Sequence, residues 1–121
     1  MSKPSYFMRG IYGKNGEECL QVGILTLMED GYVCGWVMDP TSSRPKEFVR
    51  GGLKSNGRKL KITLRISDLP SDMNIEYVLE KSDRKRKTID GRYEGFWTAL
   101  KPESGNFAGR DFARMTLDSK V

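Results

Sequence analysis

The residues that could do chemistry in this sequence are few, because the 121-residue chain has no histidine and only two cysteines, Cys19 and Cys34. Histidine is the commonest general base and metal ligand, so its absence removes Ser-His and Cys-His nucleophile pairs. We expect the two cysteines to lie far apart in the sheet as free thiols, which also disfavours a zinc site. Glycine-rich phosphate loops of the GxGxxG or GxxxxGK[ST] type are absent from the sequence. We therefore predict a protein that is not an enzyme and carries no metal and no cofactor.

Four aromatic residues are candidates for ligand binding: Tyr12, Trp36, Tyr93 and Trp97. Each combines an apolar ring with a hydrogen-bonding group, and residues of this type often orient a ligand in a mostly apolar pocket. Ordinary packing in the core is the competing interpretation for all four. From these residues we predict a site for a small, partly apolar ligand at the mouth of the fold.

The cationic residues suggest a different function. The formal net charge is +5, and one predicted sheet face carries Arg50, Lys54, Lys59, Lys61 and Arg65. Like charges that face each other across strands destabilise a sheet, and nucleic acid or an acidic protein surface would relieve that repulsion. Phe48, on the same face, is available for stacking. The alternative interpretation is a solvated outer face whose lysines discourage association between sheets.

The elements that must position these residues are strands. Apolar and polar residues alternate with a period of two along the chain, whereas no long window keeps an apolar stripe with helical spacing. The pattern predicts eight strands, at residues 5–13, 19–29, 32–39, 46–55, 58–67, 73–82, 86–100 and 106–118. An open meander would leave two exposed edges, which closure removes. We therefore predict an all-β fold in a single domain, residues 1–121: an antiparallel up-and-down meander that forms a closed or nearly closed eight-stranded barrel rather than a sandwich.

Two dipeptides predict the register of the hairpins. Asp30-Gly31 indicates a two-residue type I′ turn, in which both central residues have positive φ. That turn places Trp36 on the apolar face of the hairpin, pointing into the barrel. Asn56-Gly57 indicates a second turn of this kind, which sets Lys54 opposite Lys59 on the outside.

Glycine and aromatic residues recur in a pattern that resembles a known superfamily. Gly10 and Tyr12 form a Gly-x-Tyr pair, residues 30–35 read Asp-Gly-x-x-x-Gly, residues 91–97 read Gly-x-Tyr-x-Gly-x-Trp, and the final strand combines glycine with aromatic residues. Together they resemble the calycins, and particularly the avidin-like up-and-down barrels. The resemblance implies an architecture, and it does not imply biotin binding.

The sequence also carries expectations about location and partners. No apolar run approaches the roughly 20 residues that a transmembrane helix requires, and the first residues lack the pattern of a secretory signal. We expect a cytoplasmic protein that does not enter the membrane. The expected partner is a small-molecule ligand or, alternatively, an acidic protein or nucleic acid, and the sequence is compatible with a homo-oligomer.

Overall fold

Eight strands account for most of the chain. The computed structural model describes residues 3–41, 46–56, 59–66, 74–82, 88–100 and 107–119. The strands are β1 (Ser5–Lys14), β2 (Glu17–Leu27), β3 (Tyr32–Met38), β4 (Glu47–Asn56), β5 (Lys59–Ile66), β6 (Asn74–Lys81), β7 (Gly91–Leu100) and β8 (Phe107–Asp118). Each predicted strand is present, and the largest difference is at β7, which begins at Gly91. The described residues contain no helix that is long and apolar enough to cross a membrane.

The strands form a closed barrel. Each strand pairs antiparallel with its neighbour in sequence, and β1 pairs with β8, which places Gly10 opposite Met115 and completes the ring. Closure leaves no unpaired sheet edge among the eight described strands for another chain to extend. The predicted all-β meander and closed barrel are thus confirmed, and this is the general architecture of the calycins.

Every second residue of a strand points into the barrel, and these inward residues form the core. The largest fully buried side chains are Tyr93, Leu25, Ile62, Leu79, Val37 and Val49. Burying one such side chain contributes about 1.5–3 kcal/mol. An interior cavity lined by residues that include Met8, Val49 and Leu79 has a volume of about 10 Å³, which is room for about one water molecule. Side chains therefore fill this part of the barrel.

The segment before β7 closes one end of the barrel. The hydroxyl of Tyr93 donates a hydrogen bond of 2.7 Å to the carbonyl oxygen of Ile89. The ammonium group of Lys81, a buried residue, donates to the carbonyl oxygen of Thr88. These bonds satisfy the polar tips of two inward side chains, which burial would otherwise penalise. The opposite end, where β1 ends and β2 begins, is called here the Trp97 end.

The register between β2 and β3 differs from the prediction by one residue. The chain turns over three residues, Glu29–Gly31, with positive φ at Asp30 (59°) and Gly31 (77°). Ile24 therefore lies opposite Trp36. Because side chains alternate between faces, a shift of one residue turns the whole of β3 over. The predicted inward position of Trp36 is wrong, and this side chain lies on the outside of the barrel.

The register between β4 and β5 also differs, but by two residues. Asn56 pairs with Lys59, and Lys54 lies opposite Lys61. The predicted opposition of Lys54 and Lys59 is therefore wrong. A shift of two residues returns each side chain to the same face. Arg50, Lys54, Lys61 and Arg65 are therefore on the outside, as predicted.

Candidate functional site

The four aromatic residues predicted to bind a ligand do not form one cluster. Tyr12 and Trp97 meet at the Trp97 end, with ring centroids 6.4 Å apart in an edge-to-face arrangement. Tyr93 is fully buried and lies four residues from Trp97 along β7, which is about 13 Å. Trp36 is on the outside. The structure thus brings only Tyr12 and Trp97 together.

Polar groups line the interior at the Trp97 end. The indole nitrogen Nε1 of Trp97 donates a hydrogen bond of 2.7 Å to the carbonyl oxygen of Gly13. The side-chain amide of Gln21 donates to the hydroxyl of Tyr77 at 3.2 Å. Burial raises the pKa of Tyr77 far above its ordinary value of 10.0, although the bond from Gln21 opposes that rise. Tyr77 therefore remains a neutral phenol at physiological pH.

Two carboxylates also fall on the inward side of this end by register. Asp111 lies opposite Trp97, and Glu47 lies opposite the buried Val37. The carboxylate of Asp111 accepts a hydrogen bond of 2.7 Å from the backbone N–H of Phe112. No group of three or more potential metal ligands occurs among the described residues.

The two cysteines lie on opposite faces of the sheet. Cys19 is opposite Tyr12 on the inward side, whereas Cys34 is opposite Arg50 on the outside. Both are free thiols, which confirms the prediction that they do not pair. Each cysteine is therefore a free thiol on its own face of the sheet.

A second candidate site is a groove of about 600 Å³ on the outside of the barrel. It runs over β4 and β5 and is called here the basic groove, defined by Tyr32, Arg50, Gly51, Gly52, Lys54, Lys61, Thr63 and Arg65. The absence of a side chain at Gly52, which faces outward, leaves the backbone of β4 accessible to a ligand. Four of the five predicted cations line this groove. The side chain of the fifth, Lys59, lies outside the described residues.

The four cations form two cross-strand pairs of like charge. Arg50 lies opposite Arg65, and Lys54 lies opposite Lys61. Directly opposed residues in an antiparallel pair have Cβ atoms about 4.5–5.5 Å apart, and like charges at that separation are destabilising. Between these two pairs lies the neutral pair of Gly52 and Thr63. The groove therefore has two centres of positive charge with an uncharged step between them.

Strand β6 supplies acids on one side of the groove. The Nε atom of Arg65 donates to Glu76 at 2.6 Å, in an ion pair that solvent reaches. Glu80 lies opposite Lys61. Among the described residues, no acid lies within ion-pairing distance of Arg50 or Lys54. The excess of positive charge is therefore greatest along β4.

The reversed face of β3 places aromatic residues next to these cations. Trp36 lies opposite Phe48 on the outer surface, and the ammonium group of Lys46 is 4.4 Å from the centroid of the Trp36 ring. The predicted register places Trp36 in the interior and does not identify Tyr32 as a groove residue. Both errors follow from the assumed length of the Asp30-Gly31 turn. A three-residue loop, which is among the next most common hairpin connections, predicts the observed face.

Comparison with known proteins adds no functional information. No family model, no characterised protein and no solved structure matches the chain. The fold and the geometry of the two candidate sites therefore carry the functional argument.

Proposed function

We propose that this protein is a non-enzymatic binding module whose basic groove holds a polyanion. The observation that carries the proposal is the pair of like-charge oppositions, Arg50 with Arg65 and Lys54 with Lys61, at one open groove. Glu76 and Glu80 partly offset the charges of Arg65 and Lys61, but no described acid pairs with Arg50 or Lys54. An anion beside Arg50 and Lys54 therefore relieves the repulsion that remains along β4. The polyanion is thus favoured by charge complementarity and by the relief of an existing strain.

The spacing of the charges favours a polymer over a small anion. Arg50 and Lys54 are four residues apart on one strand, a separation of about 13 Å. A small anion contacts one of the two cationic pairs, whereas a chain of negative charges contacts both. The accessible backbone at Gly52, midway between them, allows such a chain to lie close to the sheet.

Anisotropy of a fluorescent heparin fragment tests the proposal. Affinity is measured from about 50 to 200 mM salt, a range over which binding that depends on several ionic contacts weakens steeply. The groove variant is Lys54→Glu with Lys61→Glu. The control is Arg9→Glu with Lys14→Glu, which lowers the net charge equally at exposed positions of β1.

We expect the groove variant to lose at least about tenfold in affinity at low salt, because two ionic contacts turn repulsive. The control should stay within about threefold of the parent protein, since only the overall charge changes. Equal losses in both variants would show that net charge alone governs the interaction. Failure of the parent protein to bind would reject the proposal.

A second candidate function is the binding of a small, partly apolar ligand at the Trp97 end. The protein would then act as a cytoplasmic binding barrel that resembles the avidin-like calycins. The polar interior there favours it, with Tyr12 and Trp97 in contact and Gln21 bonded to Tyr77. It ranks second because the described interior cavity of about 10 Å³ is far smaller than the roughly 300–1,000 Å³ of typical ligand pockets.

The two tryptophans separate the candidates, since Trp97 lies in the barrel interior and Trp36 lies on the outside, next to the row that contains Arg50. Trp97→Phe leaves Trp36 as a reporter beside the basic groove, and Trp36→Phe leaves Trp97 as a reporter of the barrel interior. Heparin should change the fluorescence of the first variant and leave the second unchanged. A small ligand bound in the interior would produce the reverse result.

A further inference from the structure

Exposed aromatic side chains share the outer surface with the cations of the basic groove. Phe48 is 69% exposed, the largest value among the exposed large apolar residues of the described chain, and Tyr32 is 45% exposed. Burial of such rings against a ligand is favourable in proportion to the apolar area removed from water. A purely anionic partner would leave this contribution unused.

The register orders these residues into rows across β3 and β4. Trp36 and Phe48 form one row, Cys34 and Arg50 form the next, and Tyr32 and Gly52 form the third. Neighbouring rows on one face are two residues apart, which is about 7 Å. Along the surface, rings therefore alternate with a cation, and Lys54 continues the series at the far end.

A ligand that matches this order must itself alternate flat rings with negative charges. Single-stranded nucleic acid has this composition, and proteins that bind it combine a basic groove with aromatic side chains on which bases stack. Sulfated polysaccharides supply the charges with puckered sugar rings, and acidic peptides supply them without a regular series of rings, so neither offers regularly spaced flat aromatic rings. In a duplex the bases already stack on each other, so the rings have no free base to contact.

We infer that the polyanion is single-stranded nucleic acid, with a base stacked on Phe48 and phosphates held by Arg50 and Lys54. This inference rests on the proposed function of the groove. Phe48 is the principal platform because the ring of Trp36 already carries Lys46 at 4.4 Å. Tyr32 offers a second ring on the other side of Arg50.

Three labelled probes of equal length test the inference: an oligothymidylate, the same oligonucleotide without bases, and a duplex. The variant is Phe48→Ala. The control is Phe96→Ala, which removes a ring on β7 that is 49% exposed and has the guanidinium carbon of Arg110 at 4.3 Å from its centroid. Phe48→Tyr restores a ring, and the heparin affinity of each variant verifies that the cations remain in place.

We expect Phe48→Ala to weaken binding of the oligothymidylate by about fivefold to one hundredfold, the range for loss of one base–aromatic stack. Binding of the baseless oligonucleotide and of heparin should change by less than about twofold, because their contacts are ionic. Phe48→Tyr should recover most of the loss, and the duplex should bind more weakly than the single strand.

Two results would overturn the inference while the proposed function stands. One is equal affinity for the oligonucleotides with and without bases, and the other is an equal effect of Phe48→Ala and Phe96→Ala. Absence of binding to heparin and to every oligonucleotide would instead reject the proposed function itself.

Discussion

Replacing Lys54 by glutamate should stabilise the fold while it weakens anion binding. Lys54 is exposed and lies opposite Lys61. A carboxylate at position 54 converts a repulsive cross-strand pair into an attractive one. The repulsion removed and the attraction gained each contribute about 0.2–1 kcal/mol to the free energy of unfolding at an exposed sheet position. The two contributions together span about 0.4–2 kcal/mol. Because Lys54 and Lys61 are both exposed and solvent screens them, we expect the free energy of unfolding to rise by about 0.5–1 kcal/mol.

The same substitution at Lys14 provides a control of opposite sign. Lys14 is also exposed, but it lies opposite Glu17, so a carboxylate there creates a repulsive pair. Lys14→Glu should lower the free energy of unfolding by a similar amount. Both variants change the net charge equally, so a difference between them reports local pairing.

Urea unfolding followed by tryptophan fluorescence measures both effects. With a slope near 2 kcal/mol per molar urea, the midpoint should move by roughly 0.3–0.5 M, upward for Lys54→Glu and downward for Lys14→Glu. About 1 M salt should shrink both shifts by screening. A lower midpoint for Lys54→Glu, or a higher midpoint with unchanged heparin affinity, would contradict the prediction.

Three further predictions concern the barrel itself. Gly51→Ala should lower the free energy of unfolding by about 1–3 kcal/mol, because a Cβ there would overlap a backbone carbonyl oxygen of β5. Gly52→Ala is the control: a Cβ there has no atom nearer than 3.8 Å, so its melting temperature by calorimetry should stay close to that of the parent protein. Burial raises the pKa of Tyr77 in the folded state, so above pH 10.0 the phenol ionises more readily in the unfolded state and the free energy of unfolding should fall. The urea midpoint should therefore fall less steeply with pH in Tyr77→Phe than in the parent protein. Hydrogen bonds from Ser119 lower the pKa of Asp90, so Asp90→Asn should lower the melting temperature at neutral pH. The difference from the parent protein should shrink as the pH falls below 3.8, because the parent carboxylate is then protonated as well.

The sequence predicted the strands well because alternation is a local property. A residue such as Leu25 or Val49 must face the interior whichever partner lies opposite, so period-two patterns locate strands without knowledge of the register. The closed barrel followed from the cost of open edges. Both predictions depend on features that short stretches of sequence express directly.

The face of β3 could not be predicted so simply, because it depends on whether the preceding turn contains an odd or an even number of residues. Asp30 and Gly31 adopt positive φ as predicted, but Glu29 joins them in the loop. One extra residue moved Trp36 from the interior to the outer surface. Arg50, Lys54, Lys61 and Arg65 lie on the predicted face because the register of β4 and β5 differs from the prediction by two residues, which preserves the face.

The central claim is that the basic groove, rather than the barrel interior, is the site for an anionic partner. Nitrogen–proton correlation spectra recorded while unlabelled oligothymidylate is added test it most directly. We expect shifts of the backbone amides of Gly51, Gly52 and Thr63, with little change at Tyr12 and Trp97. Shifts confined to the Trp97 end, or shifts that survive in Lys54→Glu with Lys61→Glu, would contradict it.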